Sequence, residues 1–314
     1  MYDDSEPGDD LDYRHAPGTR VHYRARSRGT DLAAVGRLAL QLPGALFSLF
    51  LVGLLGRGLQ ATTGLPYGIP VGLWLAAGAL VFHPPAEALL ARYLLRLGRP
   101  LPQEAAVLAP VWREVTARAG VDGSRYQLWI EESGEMTASG AGGHLVIVTR
   151  HALETLPTSQ LAAVLAHELG HHTAGHSWAQ LLGWWYALPG RIARWALAAV
   201  ARSGRRGIKD MPPYAVAVAA GLVALAGYRV LALTFGLPLL LVALPLLIAA
   251  VGRRTELRAD RHAAALGFGP QLARVLAAEP EEEDEPGFLR LLLSSHPHPR
   301  TRLHHLQRYL AQTG

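Results

Sequence analysis

The sequence predicts a mostly α-helical, membrane-integral chain that also carries a small α+β unit. Three observations predict this class. Half of the 314 residues are hydrophobic and the mean hydropathy is positive, which is high for an ordinary soluble domain. The apolar residues gather into long runs with few or no charges, each long enough to cross about 30 Å of hydrocarbon at 1.5 Å per residue. Between these runs lies a polar stretch with two short strand-like segments and a helix bearing the pattern His-Glu-x-x-His.

Taken in chain order, residues 1–31 mix an acidic start with a run of arginines and few large apolar residues, and are expected to form a disordered polar tail. Residues 32–85 hold two apolar runs, Leu38–Leu55 and Gly64–Phe82, closed by His83-Pro84-Pro85; they read as a transmembrane hairpin. Residues 86–177 read as the first part of a soluble catalytic domain. Here Ala86–Leu97 and Gln103–Ala119 have helical patterns, and Tyr126–Glu131 and His144–Thr149 read as strands. The Gly-rich stretch Ser139–Gly143 between the strands is expected to turn. Pro157-Thr158-Ser159 opens a helix continued by the spacing of Leu161, Val164, Leu165 and Leu169.

Residues 178–252 form a hydrophobic insertion with two admissible layouts. Trp178–Val200 carries Arg191 and Arg194 at its centre, and is followed by a basic loop of Arg202, Arg205, Arg206 and Lys209. The positive-inside tendency favours an interfacial helix at 178–201, then a helical hairpin within 212–251 turning near Arg229. The competing layout makes 178–201 and 212–251 one span each. Both cross an even number of times. Residues 253–314 complete the soluble domain: helical to Ala278, then an acidic solvated loop, then a helix at Pro299–Leu310.

Composition narrows the chemistry. Basic residues outnumber acidic ones by 30 to 25, all but Lys209 of the basic set are arginine, and aromatic and basic residues are not interleaved, so no nucleic-acid partner is expected. The chain has no cysteine, which excludes disulfides and thiolate metal sites and leaves His, Asp and Glu as metal ligands. The polar, acidic N-terminus does not resemble a cleaved signal peptide.

His167-Glu168-Leu169-Gly170-His171 places two imidazoles at i and i+4, one turn apart on one helical face, where they can share a tetrahedral zinc. Glu168 sits beside the first imidazole, placed to take a proton from an attacking water. Where one major zincin class has a third histidine the chain has Ser177, so the third ligand must come from elsewhere. His172 and His176 are nearby spares. The stronger candidate is Glu256, with Asp260 one turn later to fix a ligating histidine from outside the metal shell. An even number of crossings returns Glu256 to the membrane side of His167.

The stretch from Met136 to His176 resembles the catalytic segment of HtpX-like membrane metallopeptidases, which are gluzincins related to the CAAX prenyl endopeptidases. Glu256-Leu257-Arg258-Ala259-Asp260 matches their third-ligand motif, and Ser295-His296-Pro297 with Arg302 resembles their C-terminal signature. The resemblance implies an α+β zincin-type catalytic domain in a multi-pass cell-membrane protein, with one zinc per chain and the active site facing the cytoplasm. It implies a metalloendopeptidase acting on protein or peptide substrates beside the lipid bilayer, in membrane protein quality control. It assigns His296 to stabilising the oxyanion of the tetrahedral intermediate. Where the family has Asn-Ala on its substrate strand, this chain has Thr137-Ala138, so substrate contacts are expected to differ. Substrate would add as a strand along an exposed edge near 136–149.

Three other classes fit the sequence less well. An intramembrane protease would set His-Glu-x-x-His inside a span, but Thr158, Ser159, Gln160, His172, Thr173 and His176 make the surroundings too polar. A transporter would need paired intramembrane charges, which the apolar runs lack. A non-proteolytic zinc-binding membrane scaffold remains as the alternative, although every catalytic position is filled.

Overall fold

The computed structural model describes residues 32–133, 138–209, 212, 214, 217–218, 221, 225, 228–229, 237–279 and 294–313. The expected tail at 1–31, Thr137 of the substrate strand, and nearly all of the acidic loop lie outside these residues. The chain divides into two units. One comprises residues 1–38, 79–182 and 249–314, and the other 39–78 and 183–248.

The first unit is organised by a small sheet and the helices packed on it. After α3 (Pro84–Leu89) and a single π-turn at Leu90–Leu94, α4 (Pro102–Ala119) starts where the Glu104 side chain accepts the Leu101 N–H at 2.7 Å. It stops at Gly120, whose φ of 64° is the left-handed C-cap conformation that glycine adopts without strain. Three strands follow: β1 (Gln127–Glu131), β2 (Ala138–Ala141) and β3 (Leu145–Thr149). Their order is β1-β3-β2, with β3 parallel to β1 and antiparallel to β2. All five residues of β3 are buried, as a central strand covered on both faces requires. Helices α5 (Arg150–Thr155) and α6 (Thr158–Thr173) come next.

The core of this unit joins Leu108, Val111 and Val115 of α4, Val146 and Val148 of β3, and Leu161, Leu165 and Leu169 of α6. It also takes in Leu272 and Val275 of α9 (Gly269–Ala278) and Leu306 of α10 (Pro299–Thr313). Every residue from Leu161 to Gly170 is buried, so α6 runs through the middle of the unit.

The second unit is helical. It contains most of α1 (Leu32–Thr63), nearly all of α2 (Gly68–Leu80), most of α7 (His176–Lys209) and the first half of α8 (Leu237–Ala265). Its helices meet through small residues. The Gly190 N–H donates to Ser48 Oγ at 3.0 Å, and Tyr186 donates its hydroxyl to Leu75 O at 2.9 Å while packing edge-on to Trp74. Among the described residues one helix, Ala34–Thr63, is long and apolar enough to cross a membrane. Gly68–Leu80 with Pro84–Leu94 qualifies only as a broken pair.

Several sequence expectations are corrected. Ser139–Gly143 is not wholly a turn: 138–141 pair with β3 as a strand, and only 142–144 turn, at Gly142 with φ +67°. The strand's residues are all small, so they carry no alternation of large side chains to mark it. The helix expected over Ala86–Leu97 starts earlier, at the Pro84-Pro85 pair suited to a first helical turn, and ends before Arg96, so that Gly98 can bridge to Ile130. The helix after Arg253 does not continue to Ala278. It breaks at Gly267 (φ +87°), and the Leu266 carbonyl accepts from Arg118 Nη1 at 3.1 Å. Arg202 to Lys209 lie within α7, not in a loop. Arg229, the expected turn position, is helical, and residues 230–236 lie outside the described ones.

Candidate metal centre

Helix α6 presents His167 and His171 on one face, with their Nε2 atoms 3.3 Å apart. Helix α8 brings Glu256 opposite them: one carboxylate oxygen is 3.4 Å from His167 Nε2 and the other 3.4 Å from His171 Nε2. A tetrahedral zinc with ligands at about 2.0–2.1 Å separates its ligand atoms by about 3.3–3.4 Å. The two Nε2 atoms stand at that spacing, and each Glu256 oxygen stands at it from one of them. Glu168 also lies within 4.8 Å of both imidazoles, 3.8 Å from His167 Nε2. Glu256 thus faces both histidines, one oxygen to each, while Glu168 stands farther from His167 Nε2.

Two close backbone approaches make this meeting possible. A Cβ on Gly170 would lie 3.2 Å from Ala259 Cα and 3.1 Å from His262 Cβ, so the glycine inside His-Glu-x-x-His lets α6 and α8 touch. A Cβ on Gly252 would lie 2.7 Å from Ser295 Cβ, and Arg253 Nη1 donates to Ser294 O at 2.8 Å. These contacts hold the 294–298 segment against the start of the Glu256 turn. His296 projects from it, 74% exposed, with Nε2 3.7 Å from Glu256.

Behind the ligands, Asp260 Oδ1 lies 2.8 Å from His167 Nδ1, which leaves Nε2 as the nitrogen facing the other ligands. Arg302 of α10 clamps Asp260 through Nε at 3.0 Å and Nη2 at 2.6 Å. The fork of the guanidinium matches the carboxylate, a geometry lysine could not supply.

The electrostatics call for a cation. Glu168, Glu256 and Asp260 are buried carboxylates and Arg302 is the guanidinium among them, leaving two formal negative charges that one divalent ion balances. Burial and Arg302 both push His167 down, yet its bonds to Asp260 and Glu256 outweigh them and hold it up at about 10. Burial opposes ionisation of Asp260, but His167 and Arg302 bring it down to about 2, and the two histidines likewise hold Glu256 well below the carboxylate range. Burial pushes Glu168 up. The site thus favours a positive charge at the histidines, a requirement that a proton or a metal cation can meet.

The structure brings His167, Glu168, His171, Glu256, Asp260, His296 and Arg302 together. The spare His172 is turned away: its Nε2 lies 3.0 Å from Leu145 O and its ring meets Tyr126 edge-on. The side chains of His176 and Ala138 lie outside the described residues, although the backbone of Ala138 opens β2 and pairs with Val148. Sequence reasoning missed Gly170, Gly252 and Glu87. Glu87 is fully buried, and its carboxylate accepts the Gly143 N–H at 2.8 Å. Its one signal was that it is the lone acid in the arginine-rich stretch after the hairpin.

A sequence model described as peptidase family M48 matches residues 102–310, two thirds of the chain and the span that holds every side chain of the centre. No curated protein matches the chain.

Proposed function

Because the chain belongs to peptidase family M48, a family of metallopeptidases, we propose that it is an HtpX-like, membrane-bound, zinc-dependent endopeptidase. The observation that carries this reading is the triangle of His167, His171 and Glu256, with Glu168 free and buried beside it. One zinc per chain would be held by those three side chains. When bound, zinc supplies a Lewis acid that polarises a peptide carbonyl and makes water a better nucleophile near neutral pH.

The other steps belong to the chain's own groups. Glu168 takes the proton of the attacking water and passes it to the departing amine, and its burial raises its basicity for that role. His296, exposed at the mouth of the site, donates to the oxyanion of the tetrahedral intermediate. Asp260 keeps His167 in the tautomer that offers Nε2, and Arg302 keeps Asp260 charged and oriented. Substrate binds as an added strand: β2 is an edge of the sheet and lies against α6, so a peptide paired along 138–141 runs beside the ligands. Ala138 begins that strand.

The setting is the cell membrane, with the active site facing the cytoplasm and unfolded membrane proteins as substrates in quality control. Helix α1 supports insertion by its length and apolarity. The hydrogen bond from Gly190 to Ser48, midway along α1, puts the centre of α7 beside the centre of that helix. This supports the layout in which 178–201 crosses, over the one in which it lies on the surface.

Glu168→Gln tests the reading. The variant is expected to keep its zinc and its fold while cleavage of an unfolded protein substrate falls by about 10²–10⁴-fold. Equal turnover by both proteins would remove the proteolytic assignment, and a zinc-loaded wild type that cleaves nothing would favour a binding scaffold.

A further inference from the structure

Glu87 has no part in the chemistry above, yet it is one of the most deeply enclosed charged groups in the first unit, with no exposed surface. It sits in the first turn of α3, four residues after the second apolar helix run ends its turn at His83. Both carboxylate oxygens reach across to the β2–β3 turn, 56 and 57 residues away in the chain. Oε1 accepts the Gly143 N–H at 2.8 Å, and Oε2 stands 3.2 Å from His144 Nδ1. The fit is tight: a Cβ on Gly142 or Gly143 would lie 3.0 or 3.2 Å from Oε1, and Gly142 has the left-handed φ of +67°. Glycine at both positions lets the carboxylate sit directly against the turn.

Burying a carboxylate is costly unless polar partners compensate, and the partners here belong to one turn. That turn fixes where β2 ends and how it registers against β3, with Ala141 opposite Leu145. Since β2 is the edge strand beside α6, any shift of the turn slides the edge relative to the zinc ligands.

We propose that Glu87 is a positioning residue for substrate: through the Gly143 N–H and His144 it holds the β2 edge in the register that presents an extended peptide to the metal. This rests on the endopeptidase reading and adds to it a specificity consequence. Peptides long enough to pair along β2 depend on Glu87, whereas a short reporter that engages only the ligand end of the site does not.

The experiment compares full-length, zinc-loaded wild type, Glu87→Ala, Glu87→Gln and Gly143→Ala in detergent, on an extended fluorogenic peptide and on a blocked dipeptide reporter. Glu87→Ala is expected to raise KM for the extended peptide by about tenfold or more, with kcat, zinc content and dipeptide turnover little changed. Glu87→Gln keeps the acceptor for Gly143 and should stay within about threefold of wild type. Gly143→Ala leaves Glu87 in place but crowds it, so it should raise the same KM even if Glu87→Ala fails to fold. Wild-type turnover with KM unmoved in Gly143→Ala and in folded Glu87→Ala overturns the role alone. Equal losses on both substrates also overturn it, since that marks a general structural defect. A wild type that cleaves neither substrate removes the endopeptidase reading and this role with it.

Discussion

Helices α6 and α1 draw on the same residues, chiefly leucine, alanine, valine and glycine, but they use them in opposite ways. In α6 the apolar side chains meet β3, α4 and α9, and even its histidine and glutamate are covered by protein. In α1, Phe50 and Leu54 are 64% and 58% exposed, and Leu46 and Leu55 are similarly open. Apolar content alone therefore does not say what a helix is packed against. The apolar surface of α6 is consumed inside a protein core that shapes a metal centre. That of α1 stays exposed, and its length and apolarity are those of a membrane span.

The contrast can be broken first at the metal. His167→Ala, His171→Ala or Glu256→Ala should each abolish stoichiometric zinc, whereas His172→Ala should retain it. Metal analysis of the purified variants decides, and full zinc in Glu256→Ala would remove that residue as a ligand. Next in size is packing. Leu165→Ala removes a fully buried α6 side chain and should cost about 2–5 kcal/mol in denaturant unfolding.

Acid should expose a third difference. Burial lowers His172 to about 4, below the usual histidine value of about 6.5. The unfolded chain therefore binds the proton first, so stability is intact above about pH 6.5 and is lost as pH falls towards 4, by about 3 kcal/mol in all. His172→Gln can still donate to Leu145 O but does not titrate, so its stability should fall less over that window than wild type's; parallel curves would show that His172 is not the cause. The smallest effect is expected in α1, where Leu54→Ala in detergent should cost under about 1 kcal/mol. A loss as large as that of Leu165→Ala would mean that α1 is packed by protein after all.

Much of the site was legible because its chemistry is local. Two histidines and a glutamate within five residues define a helical face, and Glu256 with Asp260 defines another. What sequence could not show was how those faces come together. Gly170 looks like a weak helix residue until Ala259 and His262 are seen against it, and nothing near Gly252 announces Ser295. Ala-Ser-Gly-Ala at 138–141 reads as part of a turn because it has no alternation of large and small side chains, and its pairing with β3 supplies the order instead. The helix break at Gly267 was likewise hidden, since Arg118, which donates to the Leu266 carbonyl, comes from 148 residues earlier.

The clamp of Arg302 on Asp260 also bears on how the protein comes into being. His167 and Arg302 are 135 residues apart in the chain, and the pieces of the centre arrive in the order α6, α8, α10. A growing chain that has released both histidines and Glu256 still holds Asp260 without its guanidinium, so the tautomer of His167 is not yet secured. The sheet and its edge are complete long before that point. Synthesis thus delivers the three strands and α6 first and the clamp that completes the centre last.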